Sequence, residues 1–188
     1  DWSMPFSYEG TIKEHNIVRT SSGFFDVSHM GRLEIQYSQI EKISNLICSE
    51  LIDIPTNKAL YSIFTNEEGN ALDDVIFWKF EDKIILIPNA SNLDKIKSHL
   101  TTHNVEYIDK SEDTVLIAVQ GPDTIDLIQD RFEIPDKFST NHTENYLYAR
   151  TGYTGEDGVE IMANNEDAES LLTFLTEKGI KPCGLGSR

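Results

Sequence analysis

Two adjacent aspartates, Asp73 and Asp74, begin a run of apolar residues that is typical of a β-strand. Because side chains alternate between the two faces of a strand, the two carboxylates cannot both point to the same side. One of them can face a concave apolar site, where a fixed carboxylate moves protons or balances positive charge. The pair can equally be two turn residues after the polar loop 67–70, and the pair alone leaves both interpretations open.

A glycine-rich segment lies at residues 148–158, with the sequence YARTGYTGEDG. Its glycines permit positive φ angles and a close approach of the backbone to a ligand. A plain hairpin connection would have the same composition. The segment lacks the Lys-Ser/Thr ending of a phosphate-binding loop, which disfavours a nucleotide site.

One histidine, His29, lies in the segment FDVSHMG at residues 25–31, and the only regular spacing among the other histidines is the four residues between His99 and His103. A structural metal site needs further ligands at suitable spacing, and none is evident. The sequence therefore predicts no metal site.

Glu160 lies in the middle of a strand-like apolar run. A carboxylate in that position usually faces solvent on a half-buried sheet. If it faces inward it needs hydrogen-bond donors, because a buried charge is costly unless it is paired.

These residues must be positioned by a mixture of helices and strands. Apolar spacing of three or four predicts helices at residues 38–53 and 92–102, a third beginning at Gly121-Pro122, and a fourth over 166–178. Short β-branched and aromatic runs predict strands at 60–65, 75–80, 84–87, 115–119, 146–150 and 159–162.

Short turns between neighbouring strands favour antiparallel pairing. We therefore predict an α+β fold of two packed α/β units with mostly antiparallel sheets. The first unit is discontinuous, with residues 1–31 and 114–188, and residues 32–113 form a second, inserted unit.

The chain of 188 residues carries a formal net charge of −16. Binding to nucleic acid or to an anionic membrane requires clustered Lys and Arg, so neither is expected. The two cysteines, Cys48 and Cys183, form no CxxC pair, and such sparse cysteine fits a reducing cytoplasm.

Several segments together resemble the glycine cleavage system T-protein, or aminomethyltransferase, family. They are FDVSHMG at 25–31, LYS at 60–62, LDDV at 72–75, VQGP at 119–122, RTGYTGEDG at 150–158 and PCGLGSR at 182–188, with WSMP, His15 and Arg19 near the start. The resemblance spans the whole chain and matches the N-terminal, folate-binding part of the family.

The resemblance implies a reaction. In the family, an aminomethyl carbon passes from the lipoylated H-protein to tetrahydrofolate, ammonia is released, and 5,10-methylenetetrahydrofolate forms. Positive charge develops on the transferred carbon and nitrogen, so a fixed carboxylate stabilises it. By resemblance this catalytic carboxylate is Asp74.

The resemblance also implies the residues that bind the folate. Glu160 matches a carboxylate that accepts hydrogen bonds from the pterin, and Arg188 matches the arginine of the GLGAR motif. The remaining folate-binding residues implied are Met30, Tyr61 and Tyr153, which line the cavity, Asn89, and Trp78, which stands where the family has a tyrosine.

The family continues into a further helix and a C-terminal β-barrel, which we expect to be absent from this chain, so the chain is expected to be a truncated and inactive part. Rival interpretations are a non-catalytic folate-binding regulatory protein, an interaction domain that keeps the fold without the pocket, and a part of a demethylating flavin enzyme.

Overall fold

A computed structural model describes residues 2–188, which contain five α-helices and eleven β-strands. The helices are α1 (Thr11–Thr20), α2 (Ile40–Ser44), α3 (Leu93–Thr102), α4 (Thr124–Ile128) and α5 (Asn165–Glu177). The strands are β1 (Gly23–Asp26), β2 (Leu33–Gln36), β3 (Lys58–Thr65), β4 (Ala71–Lys79), β5 (Lys83–Ile87), β6 (Ile108–Asp109), β7 (Thr114–Gln120), β8 (Thr140–His142), β9 (Tyr146–Ala149), β10 (Gly158–Asn164) and β11 (Lys181–Pro182).

The chain divides into two compact units. One unit is Met30–Glu112, and the other is formed by the chain before Met30 together with the chain after Glu112. Here the first is called the inserted unit and the second the discontinuous unit.

The discontinuous unit has a six-stranded sheet in the order β11-β1-β7-β10-β9-β8. β1 runs parallel to β11, and every other neighbouring pair in this sheet is antiparallel. One face of the sheet packs with α4 and α5 into a hydrophobic core that includes Phe24, Ile117, Val119, Val159, Ile161, Ile128, Leu171 and Leu175. The side chains of Ala118, Gln120 and Glu160 therefore lie on the opposite face of the sheet.

The inserted unit has a five-stranded antiparallel sheet in the order β3-β4-β5-β2-β6. Its core lies on the face toward α2 and α3 and includes Leu33, Ile35, Phe64, Val75, Phe77, Ile84, Leu86, Ile43, Ile96 and Leu100. The opposite face of β4 carries Asp74, Ile76 and Trp78, which alternate with the core residues.

Most of the predicted elements are present, but one predicted helix is much shorter than expected and one helix has no counterpart in the prediction. The helix predicted at 38–53 is only Ile40–Ser44, preceded by a 3₁₀ turn, because the chain after it pairs with β3 through Cys48 N–H to Ile63 O and Thr65 N–H to Leu46 O. Helix α1 was not predicted, since Glu14 and Val18 are its only buried residues.

The α+β fold class with mixed and antiparallel sheets is confirmed, and each sheet ends in edge strands. Within residues 2–188 there is no helix with both the length and the apolar composition that crossing a membrane requires.

Candidate functional site

Asp73 and Asp74 point to opposite faces of β4, as strand alternation predicts. Asp73 is buried and accepts hydrogen bonds from the backbone N–H of Asn89 at 3.0 Å, from Asn89 Nδ2 at 3.0 Å and from Asn92 Nδ2 at 2.6 Å. These bonds tie the start of β4 to the 3₁₀ turn at Ala90–Asn92. The role of Asp73 is therefore to fix local structure.

Asp74 is exposed and its carboxylate is oriented from two sides. Tyr61 donates its hydroxyl to Oδ2 at 3.0 Å, and Asn89 Nδ2 donates to Oδ1 at 3.1 Å and to the Asp74 carbonyl at 2.9 Å. The hydrogen bond to Asp74, followed by burial, raises the pKa of Tyr61. The Tyr61 hydroxyl therefore keeps its proton at neutral pH and remains a hydrogen-bond donor to the Asp74 carboxylate.

Trp78 and Met30 also belong to the inserted unit. Trp78 lies on the same face of β4 as Asp74, but it is completely buried, and its Nε1 has no hydrogen-bond partner among residues 2–188. Met30 is buried as well, and its carbonyl accepts a hydrogen bond from Arg32. The structure thus brings Asp74, Tyr61 and Asn89 into one hydrogen-bonded group, with Trp78 further along the same strand.

Glu160 lies on β10 of the discontinuous unit and is completely buried. Thr151 donates its hydroxyl to Glu160 Oε2 at 2.6 Å, whereas Oε1 has no partner within the described residues. Burial raises the pKa of Glu160 to about 7, although the Thr151 hydrogen bond acts in the opposite direction. A buried carboxylate oxygen without a donor is unusual and suits a ligand that brings an N–H group.

A small cavity opens on the sheet face that carries Glu160. Its lining is Phe25, Val27, Ala118, Gln120, Tyr153, Thr154, Leu185 and Arg188. Ala118 is directly opposite Glu160 in the β7–β10 register. The guanidinium of Arg188 lies 5.4 Å from the ring centre of Tyr153, so two predicted folate-binding residues line one cavity.

The glycine-rich segment is held close to β7 by Gln120. Gln120 is completely buried, donates from Nε2 to the carbonyl of Thr151 at 3.2 Å and accepts from Thr154 Oγ1 at 3.0 Å. A Cβ on Gly152 would lie 1.9 Å from Gln120 Oε1. A side chain at this position would thus force the end of Gln120 to move away from Thr151 and Thr154.

Helix α1 holds the chain segments that carry Tyr153 and Arg188. Arg19 donates to the carbonyl of Thr154 at 3.0 Å and forms a 2.8 Å ion pair with Glu156. Glu14 Oε2 accepts from the backbone N–H of Gly184 at 2.8 Å. Helix α1 is therefore bonded to both segments that carry these cavity-lining residues.

Sequence reasoning missed the roles of Thr151, Gln120 and Glu14. For Thr151 and Gln120 the available signal is a polar side chain next to a strand end, which becomes informative only once the register places it near Glu160. For Glu14 no local signal exists, because its partners include the distant Gly184. Across residues 2–188 no three His, Cys, Asp or Glu side chains cluster closely enough to hold a metal ion.

The fold and these side chains define a two-unit α+β protein in which each unit presents a carboxylate set by hydrogen bonds. The model of the GCVT N-terminal domain matches residues 1–188. The chain belongs to the glycine cleavage T-protein, or aminomethyltransferase, family and corresponds to its N-terminal domain.

Similar proteins agree with this family. Relatives named aminomethyltransferase from Prochlorococcus marinus and Alkaliphilus metalliredigens are 36% and 38% identical to the whole of this chain, which covers 57% and 56% of their lengths. The chain therefore spans a little over half of each relative.

Solved structures give the same result. The structure of glycine cleavage system aminomethyltransferase T from Bartonella henselae matches 99% of this chain and 54% of its own chain, with a TM-score of 0.91 and 27% identity. A heterotetrameric sarcosine oxidase from Corynebacterium sp. U-96 has a TM-score of 0.56 at 13% identity, and this likeness shows the fold alone.

Proposed function

We propose that this chain is the folate-binding part of an aminomethyltransferase that transfers the aminomethyl carbon from lipoylated H-protein to tetrahydrofolate with release of ammonia, giving 5,10-methylenetetrahydrofolate. Family membership and the names of the relatives support this reaction. The proposed setting is glycine catabolism in the cytoplasm, which the unpaired Cys48 and Cys183 fit.

The observation that carries the proposal is the exposed Asp74 carboxylate with a donor on each oxygen. Both donors hold the carboxylate in one orientation, so it needs no reorganisation when positive charge develops on the transferred carbon and nitrogen. Asp74 is then suited to stabilise charge and to accept a proton.

The residues present fit a reduced folate. Tetrahydrofolate, when bound, supplies the nitrogen nucleophile for the one-carbon unit. Among the described residues Glu160 Oε1 has no donor, so it is a buried acceptor of the kind that an amino-pyrimidine edge requires. Tyr153 provides an aromatic surface at the cavity, and Arg188 provides a cation there in a strongly acidic chain. The folate contacts of Trp78 and Met30 stay predictions, since both side chains are buried in the inserted unit.

The role of Asp74 is tested by Asp74→Asn in an assay that follows ammonia release from aminomethylated H-protein in the presence of tetrahydrofolate. We expect kcat to fall by roughly 10²–10⁴-fold, because the amide carries no charge and accepts no proton. The dissociation constant of tetrahydrofolate should change by less than about threefold, since Asp74 acts mainly in the transition state.

The matched control is Asp82→Asn, which changes an exposed aspartate in the turn between β4 and β5 of the same unit and should leave kcat unchanged. Measurable turnover by the wild type that Asp74→Asn retains in full would refute the catalytic role. Folate binding without any turnover by the wild type fits both an inactive part of the enzyme and the non-catalytic regulatory protein. The same assay on this chain joined to the remaining part of a related aminomethyltransferase separates the two, because only the part of an enzyme would then gain turnover that depends on Asp74.

A further inference from the structure

The hydroxyl of Thr151 is the one donor that the described residues offer to the Glu160 carboxylate. Thr151 and Glu160 are 6% and 0% exposed, so water is excluded from the 2.6 Å bond between them. A hydrogen bond to a buried carboxylate is stronger than one between neutral groups, because the acceptor is charged and the surroundings are of low dielectric. Thr151 therefore has a large influence on the state of this carboxylate.

The position of the Thr151 hydroxyl is set by the backbone around it. The Thr151 carbonyl accepts from Gln120, and Gln120 in turn accepts from Thr154. Gly152 has no side chain, so the backbone of the loop packs directly on the side chain of Gln120. Replacing Thr151 by valine would remove the hydroxyl and leave the carbonyl contact with Gln120 in place.

Two influences oppose each other at Glu160. Burial favours the neutral acid, and the Thr151 hydrogen bond favours the carboxylate. Tyr153 and Arg188 are the titratable groups that line the cavity on this face of the sheet. An N–H group of a ligand can donate to Oε1 only when Oε1 carries no proton. Ligand affinity therefore depends on whether burial or the Thr151 hydrogen bond determines the protonation state of Glu160.

We propose that Thr151 is a positioning residue for the ligand site: its hydroxyl occupies Oε2 of Glu160 and thereby presents Oε1 as an ionised acceptor to the N–H edge of the bound ring. The proposal rests on the proposed function, because it assigns tetrahydrofolate as the ligand. It adds a residue whose effect is transmitted through Glu160 and depends on pH.

The test compares wild type, Thr151→Val and Thr151→Ser by anaerobic titration with tetrahydrofolate across a range of pH. We expect Thr151→Val to raise the dissociation constant about tenfold near neutral pH, because the carboxylate loses a charge-assisted hydrogen bond. Its affinity should return to within about threefold of wild type well above neutral pH, where Glu160 ionises without help. Thr151→Ser keeps the hydroxyl and should follow the wild-type pH profile.

Thr154→Val is the matched control, because it removes a hydroxyl from the same loop without removing a bond to Glu160. Its affinity can change, but the pH midpoint of binding should stay at the wild-type value. A loss of affinity in Thr151→Val that is equal at every pH would reveal a merely structural role and overturn the proposal.

A second measurement needs no ligand. Titration of the Glu160 side-chain carboxyl by ¹³C NMR should show a higher pKa in Thr151→Val than in wild type, and an unchanged pKa would overturn the proposal. Failure of the wild type to bind tetrahydrofolate would count against the proposed function and its ligand, whereas the NMR titration would still decide whether Thr151 controls the carboxyl.

Discussion

At Glu160 the proposed ligand binding and the folding of the chain make opposite demands on one carboxyl group. Its carboxyl is fully buried, and residues 2–188 supply one donor for its two oxygens. Burial raises its pKa to about 7, against an ordinary value of 4.5. Between these two values the folded chain holds a proton that the unfolded chain has released. The stability from this group is therefore fully present below the unfolded pKa and is lost as pH rises through the folded pKa.

We expect Glu160→Gln to be more stable than wild type by on the order of 1–3 kcal/mol at about pH 8.5, because the amide carries no charge to bury. The difference should nearly vanish at about pH 5, where wild-type Glu160 is protonated when folded. Urea unfolding at both pH values measures the two free energies.

Glu169→Gln, which changes an exposed residue of α5, is the control and should show no comparable change with pH. A Glu160→Gln variant that is less stable than wild type at the higher pH would mean that Glu160 is ionised and well satisfied in the folded chain.

At the scale of the element, α1 connects the start of the chain to the end of the discontinuous unit. Glu14 is buried, and its Oε1 accepts from the backbone N–H groups of Tyr8, Glu9 and Gly10 at 2.7, 2.6 and 3.1 Å. Its Oε2 accepts from Gly184. Burial opposes ionisation of Glu14, but these four backbone donors prevail and lower its pKa.

Glu14→Gln should destabilise the chain by roughly 1–3 kcal/mol at neutral pH, because the amide nitrogen would place a donor against backbone donors. A carboxyl with a depressed pKa stabilises the fold above its unfolded pKa, and this stability is lost as pH falls through the folded pKa. The loss in the variant should therefore shrink in acid. Thermal unfolding at neutral and acidic pH measures it.

Glu9→Gln, at an exposed residue paired with Lys13, is the control for Glu14→Gln and should leave the melting temperature almost unchanged. An equally small effect at Glu14 would show that the turn carrying Arg188 is held by other contacts.

The elements also show what the sequence can and cannot predict. Helix α5 ends at Glu177 just before Gly179, which has φ of 80°, so the helix predicted at 166–178 is confirmed to within one residue. The 38–53 helix is wrong because Ile47 bridges Phe64, a long-range pairing that local spacing does not reveal. Helix α1 has no apolar stripe by which it could be recognised, because one of its two buried residues is the charged Glu14.

The candidate site is also partly predictable from local sequence and partly dependent on tertiary structure. Alternation along β4 predicts that Asp73 and Asp74 separate, and motif resemblance selects Asp74, Glu160 and Arg188. The burial of Glu160 and its bond to Thr151 depend on the β7–β10 register. Such a register is set by tertiary packing, so it is not readable from one strand alone.

For the whole molecule, the chain enters the inserted unit at Met30 and leaves it at Glu112. Arg32 is completely buried near both points and donates to the carbonyls of Met30 and Ser111. The backbone N–H of Arg32 also donates to Ser111 Oγ at 3.0 Å. One guanidinium thus ties together the two ends of the inserted unit, which lie far apart in sequence.

Arg32→Met should therefore loosen the inserted unit in particular. Removing the guanidinium takes a charged donor from two carbonyls in a buried setting, and we expect a loss of on the order of 3 kcal/mol or more. Hydrogen exchange should become faster in β2, β4 and β5 of the inserted unit, whereas β7 and β10 of the discontinuous unit should keep their protection at short exchange times.

Lys42→Met, which removes an exposed lysine bond to the Asn104 carbonyl in the same unit, should leave both units protected. If Arg32→Met accelerated exchange equally in both units, the guanidinium would stabilise the whole chain and not the inserted unit in particular.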